Sequence, residues 1–263
     1  MNNEYIPFPS HVKEIIRHTD IEYTFRMSFS GDVKPGQFFE VSIPKYGEAP
    51  ISVSGIGTDT VDLTIRRVGK VTNKIFEHYE GETLLMRGPY GNGFDIENFR
   101  GKEVIVIAGG TGLSPVKGIV DYFSQHPEEA IRTTLIAGFK SPQDILFKQD
   151  FKKWEKTLQV IKTVDSAQEN YGGLTGMVTK YIPELPIADI SKAVFITVGP
   201  PVMIRFTIME ILKRGVPEQN IWISHERKMC CGLGKCGHCK MNDTYVCLDG
   251  PVFNYAESKH LVD

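Results

Sequence analysis

All five cysteines of the chain lie in one stretch, MCCGLGKCGHCKMNDTYVC, in which Cys231, Cys236, Cys239 and Cys247 follow the spacing C-x4-C-x2-C-x7-C. Four thiolates so spaced are the ligand set of a plant-type 2Fe-2S cluster, a carrier of single electrons. Gly232, Gly234 and Gly237 separate the first three ligands, and their freedom lets the backbone fold closely around the sulfides. Zinc is the competing reading of any four-cysteine set, but zinc ribbons present two C-x2-C knuckles, not an x4 gap followed by x2. Cys230 offers an alternative first ligand at C-x5-C spacing, and the x4 gap selects Cys231. His238, inside the loop, reads as a solvated or hydrogen-bonding residue, since four cysteines suffice.

Three turns could bind phosphate. The apolar run VIVIA (104–108) leads into GGTGLSPVKG, where Gly109, Gly110, Thr111 and Gly112 would let amides approach a pyrophosphate at a helix N-terminus. The G-x-G-x-x-G fingerprint is absent, and tight turns need glycine on steric grounds alone. A second such turn, VGPPVMI (198–204), carries Gly199, Pro200 and Met203. Two turns at the carboxyl ends of parallel strands define the crevice in which open α/β sheets bind ligands. The third, RRVGKVT (66–72), sets Arg66, Arg67 and Lys70 beside Gly69 and Thr72. It reads either as a phosphate cradle or as a solvated basic edge that discourages strand pairing. APISVS (49–54) and RGPYGNGF (87–94) carry no reading alone.

The elements that position these residues follow from periodicity. In VDLTIRR, Val61, Leu63 and Ile65 alternate with Asp62, Thr64 and Arg66, the mark of a half-buried strand. Similar runs at 11–17, 22–29, 38–43, 50–54 and 83–88, with turn residues between them, predict a closed or nearly closed antiparallel barrel interrupted by a helix near 71–79. After Arg100-Gly101 the rhythm changes. Apolar runs at 104–108, 134–138, 159–164, 193–198 and 221–224 alternate with helical stretches, which is βαβ order with a parallel sheet. Val116, Ile119, Val120 and Phe123 fall on one helix face turned to that sheet. The expected division is a barrel domain over 1–99, an α/β Rossmann-like domain over 100–225 and a small iron–sulfur module over 226–263.

Composition narrows the field. With 263 residues, 41% of them apolar and 24% charged, the chain has room for two globular domains and an appendage. No run approaches the roughly 18 apolar residues of a spanning helix, and the start MNNEYIPFPS lacks the basic and apolar parts of an export signal. The expected location is the cytoplasm, where clustered cysteines are ligands or redox groups and not a disulfide frame. A net charge of −2 without a long basic block gives nucleic acid no electrostatic attraction.

Taken in order, the barrel, GGTGLSP, GPPVM, the four cysteines and DGPVF resemble the ferredoxin-NADP reductase superfamily over essentially the whole chain. More narrowly they resemble the branch with a carboxyl-terminal 2Fe-2S module, as in dihydroorotate dehydrogenase electron-transfer subunits. Within it GEAPISVS, IRRVGKVT, RGPYGNGF, VGPPVMI and VCLDGPVFNYAE are most similar to the B-subunit family of anaerobic sulfite reductase. The resemblance implies an FAD on the barrel, its isoalloxazine near Pro50, Ile51 and Ser52, and its phosphates near Ile65, Arg66, Gly69, Lys70, Val71 and Thr72. Where the branch has a motif arginine this chain has Ala49, and Val71 replaces a second glycine, which moves phosphate contacts toward Arg66, Arg67 or Lys70. The turn at Gly109–Gly112 becomes the nicotinamide dinucleotide site. Val198 stands where the family has a cysteine before GPP, so no thiol lies beside the nicotinamide. Asp165 suits the ribose hydroxyl of NADH, whereas Lys140 would suit a 2′-phosphate.

The implied path runs from NADH to FAD, to the 2Fe-2S cluster and out to a partner protein, because a hydride carries two electrons and the cluster takes one. The chain's task is to align nicotinamide C4 and flavin N5 at about 3 to 3.5 Å, with Ser52 as the hydrogen-bond donor to N5. The chain lacks a second cysteine set for a sirohaem-coupled cluster, H-E-x-x-H, G-x-S-x-G and a placeable acid pair, so it reads as a conduit. The expected partners are the catalytic and ferredoxin-like subunits of a sulfite reductase. Alternatives are the equivalent subunit of a dihydroorotate dehydrogenase, a sulfhydrogenase or a transhydrogenase, or a non-enzymatic redox sensor.

Overall fold

The computed structural model describes residues 3–78 and 80–261. Six strands, β1 (Phe8–Arg17), β2 (Glu22–Ser28), β3 (Phe38–Ile43), β4 (Gly47–Ile56), β5 (Thr60–Arg66) and β6 (Thr83–Tyr90), close into a barrel in the order β1-β2-β5-β4-β3-β6. Every pairing around it is antiparallel. Alternate residues fill the interior, among them Phe39, Val41 and Ile43 of β3, Ile51 and Val53 of β4, and Val61, Leu63 and Ile65 of β5. Truncating one such side chain, Phe39→Ala for instance, costs about 3 to 5 kcal/mol. The expected helix near 71–79 is α1 (Lys70–Ile75), which drops Ile75 into the same core; Tyr79 lies outside the described residues.

On β3 the other alternate set, Phe38, Glu40 and Ser42, points away from the barrel interior and is nevertheless buried. A sheet face in that state has something packed on it.

The second sheet is built from β7 (Glu103–Gly109), β8 (Arg132–Phe139), β9 (Gln159–Val164), β10 (Leu174–Thr175), β11 (Ala193–Val198) and β12 (Ile221–Ser224), all parallel. Helices α2 (Leu113–Gln125), α3 (Lys148–Trp154) and α4 (Pro201–Lys213) occur along this stretch. Val116, Ile119, Val120 and Phe123 of α2 are buried, the face that their spacing predicts. Beyond it come the short pair β13 (Lys240–Met241) and β14 (Thr244–Tyr245), α5 (Val246–Asp249), β15 (Val252–Asn254) and α6 (Tyr255–Ser258). The sheet order is β10-β9-β8-β7-β11-β12-β15, with β15 antiparallel to β12.

Two compact units result. One holds the residues up to Phe94 together with Glu226–Pro251, and the other holds Asp95–His225 with the residues from Val252 on. The expected third segment, 226–263, is thus divided: its cysteine part packs with the barrel and its end with the sheet. Among the described residues no helix is long and apolar enough to cross a membrane.

Candidate functional site

The cysteine segment bends where its glycines are. Gly232 (φ 73°) and Gly234 (φ 66°) take left-handed conformations that a side chain would strain. A Cβ on Gly232 would also stand 2.5 Å from the Tyr90 ring, and one on Gly234 would stand 2.6 Å from Leu248. Cys231, Cys239 and Cys247 are buried, while Cys236 and Cys230 are exposed. The thiols associate as Cys231 with Cys236 and Cys247 with Cys239, two pairs for the two irons of a 2Fe-2S cluster. The amides of Leu233 and Lys235 donate to Cys231 Sγ at 3.4 Å each, and the Gly234 amide donates to Cys247 Sγ at 3.2 Å. Such bonds favour anionic sulfur. Burial opposes ionisation of Cys231, yet these amides and its thiol partner bring it down to about 6; burial and the Cys239 thiol push Cys247 up to about 12. The donor set therefore fits the cluster, whose binding must displace the Cys247 proton.

The segment lies on the outer face of the barrel. Arg87 of β6, only 3% exposed, pairs with Glu48 (Nε to Oε1 2.9 Å, Nη2 to Oε2 2.5 Å) and donates to the carbonyls of Cys231 (2.5 Å) and Cys230 (2.8 Å) and to Tyr90 Oη (3.2 Å). Glu48 also accepts from Ser42, and chiefly the Arg87 hydrogen bond holds its carboxyl below the usual range. Glu40 of β3 is directly across from Arg87 and is fully buried; neither of its oxygens has a hydrogen bond among the described residues. Burial pushes the Glu40 carboxyl up to about 7, against the pull of Arg87. Sequence reading missed Glu40, Glu48 and Arg87. The available signal was a lone acid inside the buried run FFEVSI.

On β4, Pro50 lies opposite Glu40 and Ser52 opposite Phe38. Both are half-buried on the outward side, whereas Ile51 faces the barrel core. The Ser52 hydroxyl has no hydrogen-bond partner among the described residues, so it is open to a ligand. Ile65 is buried in the core, and Ala49 and Val71 pack against it, so a cofactor would meet Ile65 through its backbone. At the turn that follows, the Thr72 hydroxyl receives the amides of Val68 and Gly69 at 3.0 and 2.9 Å. Arg66 pairs with the buried Glu22 at 3.1 Å, Lys70 lies 5.7 Å from the Tyr46 ring centre, and Arg67 is exposed. Of the three expected phosphate cations, two therefore have partners within the fold.

In the other unit, the two glycine turns meet at the ends of neighbouring strands. The chain runs from β7 outward to β8 and β9, then returns to place β11 on the other side of β7, which makes the gap between β7 and β11 the switch point where such sheets bind ligands. Gly112 is indispensable there: a Cβ would sit 2.6 Å from Val198 O and 2.8 Å from Gly199 Cα. Met203, at the start of α4, lies over both turns, since a Cβ on Gly109 or Gly199 would meet its sulfur or methyl at 2.4 or 2.6 Å. Gly110 (φ 55°) and Thr111 complete the first turn, and Pro200 is exposed beside the second. Asp165 and Lys140 are exposed at the ends of adjacent strands, where the Asp165 amide donates to Phe139 O and the Ser166 amide to Lys140 O.

Comparison with known proteins places two stretches of the chain in known families. Residues 106–208 match the family model of the oxidoreductase NAD-binding domain, and residues 226–258 match that of the iron-sulfur cluster binding domain of dihydroorotate dehydrogenase B. The chain is 33% identical to sulfhydrogenase 1 subunit gamma of Pyrococcus furiosus over 92% of its own length and 84% of that protein. It is 32% identical to a probable dihydroorotate dehydrogenase B (NAD(+)) electron transfer subunit of Methanocaldococcus jannaschii, over 94% and 89%. In structure it superposes with a TM-score of 0.78, at 23% identity, on a chain of an NADH-dependent reduced ferredoxin-NADP oxidoreductase described for flavin-based electron bifurcation, covering 94% of this chain and 88% of that one.

Proposed function

We propose, on the premise that the chain belongs to the family of ferredoxin-NADP reductase-like electron-transfer subunits with an iron–sulfur domain, that it takes electrons from NADH and passes them through FAD and a 2Fe-2S cluster to a separate catalytic subunit. The observation that carries this reading is the cysteine segment, with its two thiol pairs and the amides aimed at Cys231 and Cys247. FAD supplies the conversion of a hydride into single electrons and the cluster their exit. Ser52 is the donor assigned to flavin N5, with Pro50 against the ring and the Gly69–Thr72 turn near the phosphates. The turns at Gly109–Gly112 and Gly199–Met203 hold the dinucleotide, and Asp165 its ribose, which favours NADH over NADPH.

The relatives support a catalytic partner of the sulfhydrogenase or dihydroorotate dehydrogenase kind over the sulfite reductase subunits expected from the motifs. The sulfite reading rests on the likeness of GEAPISVS, IRRVGKVT and the tail, and remains the second reading. Reconstitution separates them. The chain is mixed in turn with the catalytic subunits of each enzyme, and NADH oxidation is followed against dihydroorotate formation from orotate, sulfide from polysulfide or sulfide from sulfite. Coupled turnover with one set identifies the partner, and no transfer to any set while a dye is reduced would overturn the conduit reading for these acceptors.

A further inference from the structure

The segment RGPYGNGF, silent as a sequence, fastens the cluster segment at both of its ends. At the near end, all five N–H groups of the Arg87 guanidinium have acceptors: two on Glu48 and one each on Tyr90 Oη, Cys231 O and Cys230 O. The bonded carbonyls belong to the first cluster ligand and the residue before it. At the far end, the Asn92 amide donates to Gly250 O at 2.8 Å and its side chain to Asp249 O at 3.1 Å, just past the fourth ligand, Cys247. Between these points Tyr90 lies against Gly232, and its hydroxyl donates to Glu4 O at 2.6 Å. A planar guanidinium satisfied in this way is rigid, and truncating Arg87 would leave the buried Cys231 carbonyl without its partner, whereas Asn92 and Asp249 at the far end are exposed.

The same geometry places charge next to the cluster ligands. Arg87 is nearly inaccessible, its counter-ion Glu48 is partly open to solvent, and Glu40 lies opposite Arg87 with no hydrogen bond among the described residues. A buried charge acts through a low effective dielectric, and a reduced cluster carries one more negative charge than an oxidised one.

We infer that Arg87 is a positioning residue for the cluster: through the Cys230 and Cys231 carbonyls it holds the first ligand in place, and its charge, opposed by Glu40, sets the reduction potential. The inference rests on the cluster assigned above and concerns how the chain holds and tunes it.

The test uses the whole chain, purified without oxygen, as parent, Arg87→Gln, Arg87→Lys, Glu40→Gln and Asn92→Ala. Iron and sulfide content, the EPR spectrum of the reduced protein, the midpoint potential above neutral pH and the rate of iron loss to a chelator are measured for each. Arg87→Gln is expected to lose iron at least tenfold faster, with altered EPR anisotropy and a lower potential. Arg87→Lys keeps the charge without the paired carbonyl bonds, so the potential returns toward the parent's while the fast loss of iron persists. Glu40→Gln moves the potential the opposite way, upward, at the parent's rate of loss. A general loosening of the fold would not produce opposite signs. Asn92→Ala loses iron severalfold faster at an unchanged potential, and the Arg87→Lys and Glu40→Gln arms still decide the matter if Arg87→Gln does not fold. Parental iron loss in folded Arg87→Lys, or a parental potential in folded Glu40→Gln, would overturn the inference, whereas a parent that binds no iron or sulfide would overturn the cluster assignment itself.

Discussion

The cysteine segment and the paired glycine turns, both proposed above as ligand sites, are held by opposite means. At the turns, rigidity comes from missing side chains: Gly112 lets the ends of β7 and β11 approach until a methyl group would not fit, and Met203 lies over the result. On the cysteine segment it comes from a buried arginine and an asparagine that grip carbonyls flanking the ligands. The contrast follows from what each ligand demands. A dinucleotide binds and leaves, so its site needs open amides and a fixed shape. A cluster is permanent and charged, so its loop must stay ordered and its surroundings must balance a changing charge.

If the two devices are independent, each can be broken without the other. The largest effect is expected from Cys239→Ser, which removes a buried ligand and should abolish the EPR signal while NADH still reduces the flavin; Cys230→Ser should leave the signal nearly intact. Next comes Gly112→Ala. Its new methyl meets backbone at 2.6 Å, so KM for NADH should rise at least tenfold, about 1.4 kcal/mol, with an unchanged EPR spectrum. Gly109→Ala clashes with the flexible Met203 thioether, with Pro200 Cδ at an ordinary contact distance of 3.4 Å, and should cost less; equal effects for the two alanines would show that backbone approach is not what Gly112 provides.

Smaller in activity but measurable in stability is the Glu40 effect. Its carboxyl titrates at about 7 in the folded chain against 4.5 as its ordinary value, so the folded state binds the extra proton. The resulting stabilisation is full below about pH 4.5 and is lost as pH rises through about 7, a change on the order of 3 kcal/mol. Glu40→Gln should melt with the parent at about pH 5 and above it at about pH 8.5; parallel pH profiles would show that Glu40 is not held neutral. The smallest change is predicted for Ser52→Ala, with FAD retained and flavin reduction by NADH slowed severalfold in stopped flow. An unchanged rate would remove Ser52 from the reaction.

The barrel strands were legible because an interior and an exterior alternate along them, and the α2 face because one side of that helix is apolar. The iron–sulfur segment was legible because cysteine spacing is itself the signal, and residues 226–258 match a cluster-binding family. Arg87, Glu40 and Glu48 were not, since cross-strand neighbours on β3, β4 and β6 are distant in sequence and carry no periodic mark. The three-residue β15 is too short to show a period, which is why 226–263 reads as one module although its end completes the sheet. Ile51 and Ile65 show the limit of carrying a motif over residue by residue: the resemblance implies cofactor contact for both, and both turn their side chains into the barrel core.

The bonds from Arg87 to the carbonyls of Cys230 and Cys231 span 143 and 144 residues of chain, whereas the Arg87–Glu48 pair spans 39. Loop-closure entropy grows only logarithmically with length, so the long span costs little at equilibrium. It matters for the order of events during synthesis. The barrel can close and Arg87 can find Glu48 long before the cysteines are made, since chains fold from the amino end as they emerge. Glu40 lies opposite that arginine, and its burial in the finished fold raises its carboxyl to about 7, so a carboxylate that ionises freely in the unfinished chain must take up a proton or remain charged when the fold is complete. Seating of the last segment, before any cluster is bound, is therefore expected to take up about half a proton at neutral pH and more at about pH 6, a step visible in weakly buffered refolding and missing from Glu40→Gln.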